Sequence, residues 1–215
     1  MIVSVLFGLQ KEEHKSFAVG HLALGYISSK ASAKLLKTNL NIPVALTLSV
    51  IPDIDIFLNS FIKHRGPTHS IIMAFIAFIP ILAVYRKKAI PYFVALTQHS
   101  LIGDYIVGQT QLLWPITPQS YGINIDIMSQ TSVTLELLMF LASMIVMLKA
   151  RDAAMLLQPH NSNLILSIPT FTVLIPTFLS VPLHVPTWLI LPHLAYVSIF
   201  SASIFFHLRK VFKNI

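Results

Sequence analysis

The chain contains no cysteine. Disulfides, thiolate metal sites and cysteine nucleophiles are excluded in one step. Charge is also scarce. Only 11% of the 215 residues are charged, against roughly 25% in an ordinary soluble domain. Glycine occurs at seven positions, and none forms a phosphate-cradling loop. Neither a Gly-x-Ser-x-Gly elbow nor a His-Glu-x-x-His pair is present. Coiled-coil and collagen periods are missing, as are solenoid repeats and low-complexity tracts.

Apolar residues are what the chain has in excess. They make up 55% of it, and the mean hydropathy is +0.74. A soluble globule cannot hide that much apolar surface, so the bilayer is the expected solvent. Disorder is excluded because disordered chains are polar and charged. The formal charge of +7 would indicate nucleic acid only if it gathered on a soluble face. Here it follows the cytoplasmic excess of Lys and Arg beside membrane helices, and no nucleic-acid partner is expected.

Five apolar segments read as clear spans: Ser70–Tyr85, Ala89–Val107, Thr131–Leu148, Leu164–Val181 and Thr187–Phe206. Each has about 16 to 20 residues, near the ~20 a bilayer requires. Two weaker segments, Phe17–Leu36 and Ile42–Leu58, precede them. These read as half-buried helices packed on the bundle, or as a hairpin of spans. Met1–Leu9 lacks a basic start and a small-residue cleavage site, so it reads as an extra turn lying on the membrane. The expectation is an all-α, polytopic membrane helix bundle forming a single domain over residues 1–215. Residues 17–120 carry the chemistry and residues 131–215 contribute plain spans, kinked at Pro169, Pro176 and Pro192.

Counting spans places Arg86, Lys87 and Lys88, Lys149 and Arg151, and Arg209, Lys210 and Lys213 on one side. Lys30, Lys34 and Lys37 join them if the weak segments form a hairpin. The positive-inside rule makes that side cytoplasmic. Residues 108–130 and 181–186, with no Lys or Arg, then face outward. The expected location is the plasma (inner) membrane.

Ionisable residues in or beside spans are costly and mark function. Four clusters stand out: His21; Asp53 and Asp55 after Pro52; His64, Arg65, Thr68, His69 and Ser70 around Gly66-Pro67; and His99 with Asp104. Taken alone, His21 reads as a core histidine and Asp53 as a turn former. Six residues such as His-Arg-Gly-Pro-Thr-His beside a span are harder to explain as packing. The topology sends all four clusters to one face.

Four His and three Asp suit a hard or borderline divalent metal. Zinc takes about four ligands, so seven suit two or three ions, the device used for phosphoester hydrolysis. Asp53 and Asp55 diverge by about 200° on a regular helix, so both serve one site only if the chain turns there. His64 and His69 flank a turn signal. Thr68 or Ser70 is placed to cap the following helix. His99 and Asp104 are five apart, about 140° on a regular helix. A π-bulge or early helix end near Gly103 would correct that angle; otherwise the two residues serve different metals. Glu136, inside the third span, either faces the site or bonds a neighbouring helix. His193 reads as a packing residue. His14, Asp126 and His160 read as solvated, His207 as part of the basic end, and His184 has no carboxylate nearby in sequence.

His21 with Gly25-Tyr26, Pro52-Asp53-Ile54-Asp55, the block His64 to Ser70, His99 to Asp104 and Leu113-Trp114-Pro115 together resemble the YdjM-like family of inner-membrane, metal-dependent hydrolases. The resemblance covers roughly residues 17–120. It implies kinship with zinc-dependent phospholipases C and single-strand-specific zinc nucleases, helical proteins with a three-zinc cluster. It implies ligand roles for His21, Asp53, Asp55, His64, His69, His99 and Asp104. Many members space the late His and Asp four apart, whereas here the spacing is five.

The functional expectation is therefore a zinc-dependent membrane hydrolase acting on a lipid or lipid-linked phosphate at the outer face. In it, Asp53 or Asp55 bridges metals or accepts a proton. Arg65 pairs with phosphate. Thr68 and Ser70 support the site. A metal-ion transporter or sensor using the same ligands is the alternative. The absence of a repeat and the one-sided clustering favour the hydrolase.

Overall fold

The computed structural model describes residues 17–58, 61–179 and 185–213. Met1–Leu9, His14 and His184 lie outside the described residues. Within those residues the secondary structure is helical, apart from an isolated bridge between Thr110 and Tyr121.

The first helix, α1 (Ala18–Leu36), is the centre of the bundle. Its small residues Gly20, Ala23, Gly25, Ser29 and Ala33 are buried, and small residues let helix backbones approach closely. The weak segment Phe17–Leu36 is thus a packed core helix. The second weak segment divides. It gives α2 (Ile42–Leu48), capped by Asn41 accepting from the Val44 N–H at 3.2 Å, and then a 3₁₀ helix over Ile51–Leu58. The tighter winding begins beside Pro52, which carries no N–H to donate.

A turn leads to a short 3₁₀ helix at Pro67–His69 and to α3 (Ile71–Tyr85). Ser70 caps α3, its hydroxyl accepting from the Met73 N–H at 3.3 Å. Next, α4 (Ile90–Gln98) runs into a π-helical segment, His99–Asp104, and a last turn, Tyr105–Val107. The long helix α5 (Gln130–Lys149) is followed by α6 (Asp152–Leu156). Residues 161–178 then alternate between 3₁₀, α and π winding. The chain closes with α7 (Thr187–Lys213), which contains Pro192. Around it, α1 packs against α2, α4, α5 and α7.

Among the described residues, two helices are long and apolar enough to cross a membrane, α5 and α7. The count of five continuous spans is therefore reduced. Helix α3 has 15 residues. The segment 90–107 changes winding at His99, and 161–178 changes after Pro169 and again before Pro176. Both helices present large apolar side chains outward, such as Leu148 at 67% exposure and Leu191 at 74%. Large apolar surface of that kind suits a membrane or partner contact.

Helices α5 and α7 run in the same direction. Their first turns meet in a cluster of Phe17, Val107, Ile127, Val133, Val185 and Leu189. Their later turns join the larger core of Leu22, Tyr26, Leu46, Met147, Leu156, Tyr196 and Phe200. Tyr196 and Ser143 share a hydroxyl hydrogen bond of 3.1 Å between them. Deeper toward the basic ends, buried Asp152 accepts from the Tyr26 hydroxyl at 2.6 Å and pairs with Lys30.

Candidate metal centre

Four elements deliver the site. The 3₁₀ helix at Ile51–Leu58 carries Asp53 and Asp55, the loop before α3 carries His64 to His69, the π segment carries His99 and Asp104, and α1 carries His21. All seven expected ligands come together, each at most 7% exposed. The π segment answers the five-residue spacing. Its i to i+5 bonding returns the chain to the same side after five residues, so His99 and Asp104 share a face. Their Nε2 and Oδ2 atoms are 3.4 Å apart.

Asp53, His69, His99 and Asp104 form a quartet whose four facing atoms all lie within 4.8 Å of one another. The separations are 3.0 Å for His69 Nε2 to Asp104 Oδ2, 3.2 Å for His69 Nε2 to His99 Nε2, 3.3 Å for His99 Nε2 to Asp53 Oδ1 and 3.6 Å for His69 Nε2 to Asp53 Oδ1. With the His99–Asp104 distance, five edges of a tetrahedron average about 3.3 Å. The centre of a regular tetrahedron lies about 0.61 edge lengths from each vertex. A regular tetrahedron with such edges has its centre about 2.0 Å from each vertex, the length of a zinc–imidazole or zinc–carboxylate bond.

The hydrogen bonds behind the quartet fix which nitrogens face inward. His99 Nδ1 is 2.8 Å from the Ser49 carbonyl oxygen. A carbonyl only accepts, so Nδ1 carries the proton and donates. His69 Nδ1 is 3.0 Å from Thr68 Oγ1 and 3.3 Å from Asp55 Oδ2. The Thr68 hydroxyl is already donating to Asp55 Oδ2 at 2.6 Å, so His69 Nδ1 also donates. Both imidazoles thus turn Nε2 toward the quartet, the usual support for a metal-binding histidine.

Asp55, His64 and His69 form a second group around the shared His69. His64 Nδ1 lies 2.7 Å from Asp55 Oδ1, a direct hydrogen bond. Asp55 therefore takes donors from His64, Thr68 and His69. Burial pushes its carboxyl up, but the hydrogen bonds from His64 and His69 outweigh that and hold it down at about 2. For His69, burial disfavours charge, yet hydrogen bonds to Asp104, Asp53 and Asp55 raise its pKa well above the ordinary range.

His21 and Arg65 approach the other oxygen of Asp104. Arg65 Nη2 is 3.2 Å from Asp104 Oδ1 and His21 Nε2 is 3.7 Å from it. The His21 ring stacks on His99 with centroids 3.9 Å apart. Several buried polar atoms here lack a well-aligned hydrogen bond: both His21 nitrogens, His64 Nε2 and Arg65 Nε, and, beyond their ion-pair contacts, Arg65 Nη2 and both Asp104 oxygens. Such a concentration is rare in a folded protein. It fits a missing charged group, and the donor set of imidazole and carboxylate fits a divalent metal.

Sequence reasoning missed the backbone and second-layer partners. The Ser49 carbonyl had no signal, because every residue has one. Gln98 donates to the His21 carbonyl at 3.2 Å. Residues 111–114 clamp the loop: Gln111 N–H donates to the Arg65 carbonyl at 3.0 Å, and Ser70 donates to the Leu112 carbonyl at 3.2 Å. Glu136 takes the second of its two expected roles. Its carboxylate accepts from Gly20 N–H at 2.6 Å, an unsatisfied donor in the first turn of α1. His193 packs between Phe17 and Phe178, while Asp126 and His160 are exposed.

Glycine offered a signal that composition alone did not reveal. A Cβ on Gly103 would lie 2.2 Å from His21 Cε1, and one on Gly108 would lie 1.8 Å from Arg65 Nη1. Gly103→Ala is expected to push the His21 ring off His99 and destabilise the fold by about 1–3 kcal/mol, the usual cost of overpacking. Thermal unfolding of the detergent-solubilised protein checks this; an unchanged midpoint would contradict it.

A metal bound by His69 would displace its proton, since a ligating imidazole is neutral. The apparent affinity is expected to rise with pH near neutrality, by about tenfold per unit for each proton released. Calorimetric titration with zinc in buffers of different ionisation enthalpy measures that proton. A pH-independent affinity would remove His69 from the ligand set.

With the geometry in view, comparison with protein families finds that the YdjM inner membrane protein family matches residues 17–180, and the chain belongs to that family. Comparison with curated proteins and with solved structures finds no match.

Proposed function

We propose that this chain is a membrane-embedded, metal-dependent hydrolase acting on a phosphoester, with zinc as the metal and a lipid phosphate as the substrate class. The observation that carries the reading is the quartet, whose edges suit a central ion at zinc–ligand distance. Family membership supports the membrane setting.

Asp53, His69, His99 and Asp104 would hold the ion. A divalent metal there would supply positive charge to a phosphoester oxygen and, with a fifth coordination position open to water, would lower that water's pKa towards ~7. Asp55, with three donors on its two oxygens, holds His64 and His69 in place rather than accepting a proton. His21, whose ring nitrogens are both unpartnered, is free to accept one. Arg65 has a side chain 10% exposed, with Nη2 set against Asp104 Oδ1 at 3.2 Å and Nε without a hydrogen-bond partner. Its N–H groups not turned to Asp104 are suited to grip a phosphate. His64 Nε2 and one His21 nitrogen leave ligand atoms for a second ion.

The orientation follows from charge. Helices α5 and α7 both carry their basic ends, Lys149 and Arg151, and Arg209, Lys210 and Lys213, away from the cluster. Positive ends belong in the cytoplasm, which supports an outward-facing site in a multi-pass protein.

Burial of all seven ligands supports a second reading, a metal transporter or sensor without turnover. The test uses the purified full chain loaded with zinc, on phosphatidic acid, phosphatidylglycerol and bis(p-nitrophenyl) phosphate, with bound metal measured in parallel. Turnover of at least one, abolished by chelation and restored by zinc, is expected. Stoichiometric metal with no turnover would overturn the hydrolase in favour of the second reading.

A further inference from the structure

The C-terminal end of α7 holds a feature that the metal chemistry does not use. Phe206, Arg209, Lys210 and Lys213 follow the spacing i, i+3, i+4 and i+7, which lines one face of a helix. Together with Pro159 from the loop after α6, they line a shallow, open hollow of about 350 Å³. Three cations therefore converge on one concavity.

No carboxylate side chain among the described residues answers them. Asp53, Asp55 and Asp104 belong to the metal centre. Glu136 is bonded to Gly20, Asp126 accepts from Met128 N–H in the loop before α5, and Asp152 is paired with Lys30 and Tyr26. The remaining acidic residues, Glu12 and Glu13, lie outside the described residues.

The surroundings are apolar. Phe205 is 59% exposed and Phe212 is 71% exposed on the same stretch of helix. α7 has 27 residues, about 40 Å at 1.5 Å per residue, longer than the ~30 Å hydrocarbon core. The apolar part ends at Phe206, so the cations emerge at headgroup level with aromatic rings around them. A soluble anion would not need those rings; a lipid whose phosphate meets the cations while its chains lie along the helix uses both. Basic pockets beside membrane helices on the cytoplasmic side bind anionic headgroups in this way.

We propose that this hollow is a binding site for the phosphate headgroup of an anionic phospholipid, separate from the metal centre. The experiment titrates the full-length protein in phosphatidylcholine nanodiscs with phosphatidylglycerol and counts bound lipid by native mass spectrometry. Three proteins are compared: wild type, Arg209→Gln/Lys210→Gln/Lys213→Gln, and a control with Arg86→Gln/Lys87→Gln/Lys88→Gln. The control removes the same charge from another loop. The α7 variant is expected to lose phosphatidylglycerol affinity by roughly 10- to 100-fold, while the control stays within about twofold of wild type. An unchanged midpoint of thermal unfolding in both variants shows that they are folded. Equal loss in both variants would reduce the effect to general surface charge and overturn the site. Displacement of phosphatidylglycerol by millimolar inorganic phosphate would also overturn it, because the rings would then contribute nothing.

Discussion

Asp104→Asn is expected to strip stoichiometric metal from the purified protein. Asp104 Oδ2 supplies two edges of the quartet, to His69 and His99, and its Oδ1 faces Arg65 at 3.2 Å. The residue has no solvent exposure, so nothing else compensates its loss. The amide removes one negative charge from the metal and the partner of a largely buried guanidinium. Removing one partner of a buried pair typically costs about 3–5 kcal/mol, so the variant is also expected to unfold more readily. Asp55→Asn separates the two effects. It touches only the hydrogen bonds that orient His64 and His69, and loss of such support lowers metal affinity about 10- to 100-fold. Elemental analysis alongside thermal unfolding distinguishes the two variants. Full metal occupancy in a folded Asp104→Asn protein would exclude the quartet as the site.

The second large effect concerns turnover rather than binding. Arg65→Lys is expected to lower the hydrolytic rate by about 10²- to 10³-fold, the usual consequence of removing one transition-state donor, with metal content unchanged. Lysine keeps the charge but loses the planar fork that matches a phosphate. Arg65 also adopts a left-handed backbone, with φ of 59°. A non-glycine residue held in that region stores strain of the kind that accumulates at functional sites. A rate equal to wild type would leave Arg65 as a structural partner of Asp104. Loss of metal in Arg65→Lys would assign it to the integrity of the quartet.

The cluster itself was legible because buried ionisable residues are expensive in an apolar chain. The five-residue interval between His99 and Asp104, with Gly103 inside it, left open a departure from α winding or service to different metals, and a π segment is what forms. Ser70 was readable as a cap for the same local reason. The spans were less legible. An apolar window reports composition, but whether a helix stays regular depends on where prolines such as Pro169 and Pro176 remove a donor. The central place of α1 was also hidden, since its small residues lower its hydropathy while making it the best-packed helix. Partners contributed by backbone, such as the Ser49 carbonyl behind His99, have no signature in sequence at all. Nor does a contact such as Glu136 on Gly20, which joins residues 116 positions apart.

The most direct test of the account is the metal content of the wild-type chain, purified in detergent from cells grown with zinc and measured by elemental analysis after removal of loosely bound ions. The quartet predicts at least one zinc per chain. A value near zero, in protein that unfolds cooperatively on heating, would contradict the metal centre and leave the His and Asp cluster as a network that ties helices together.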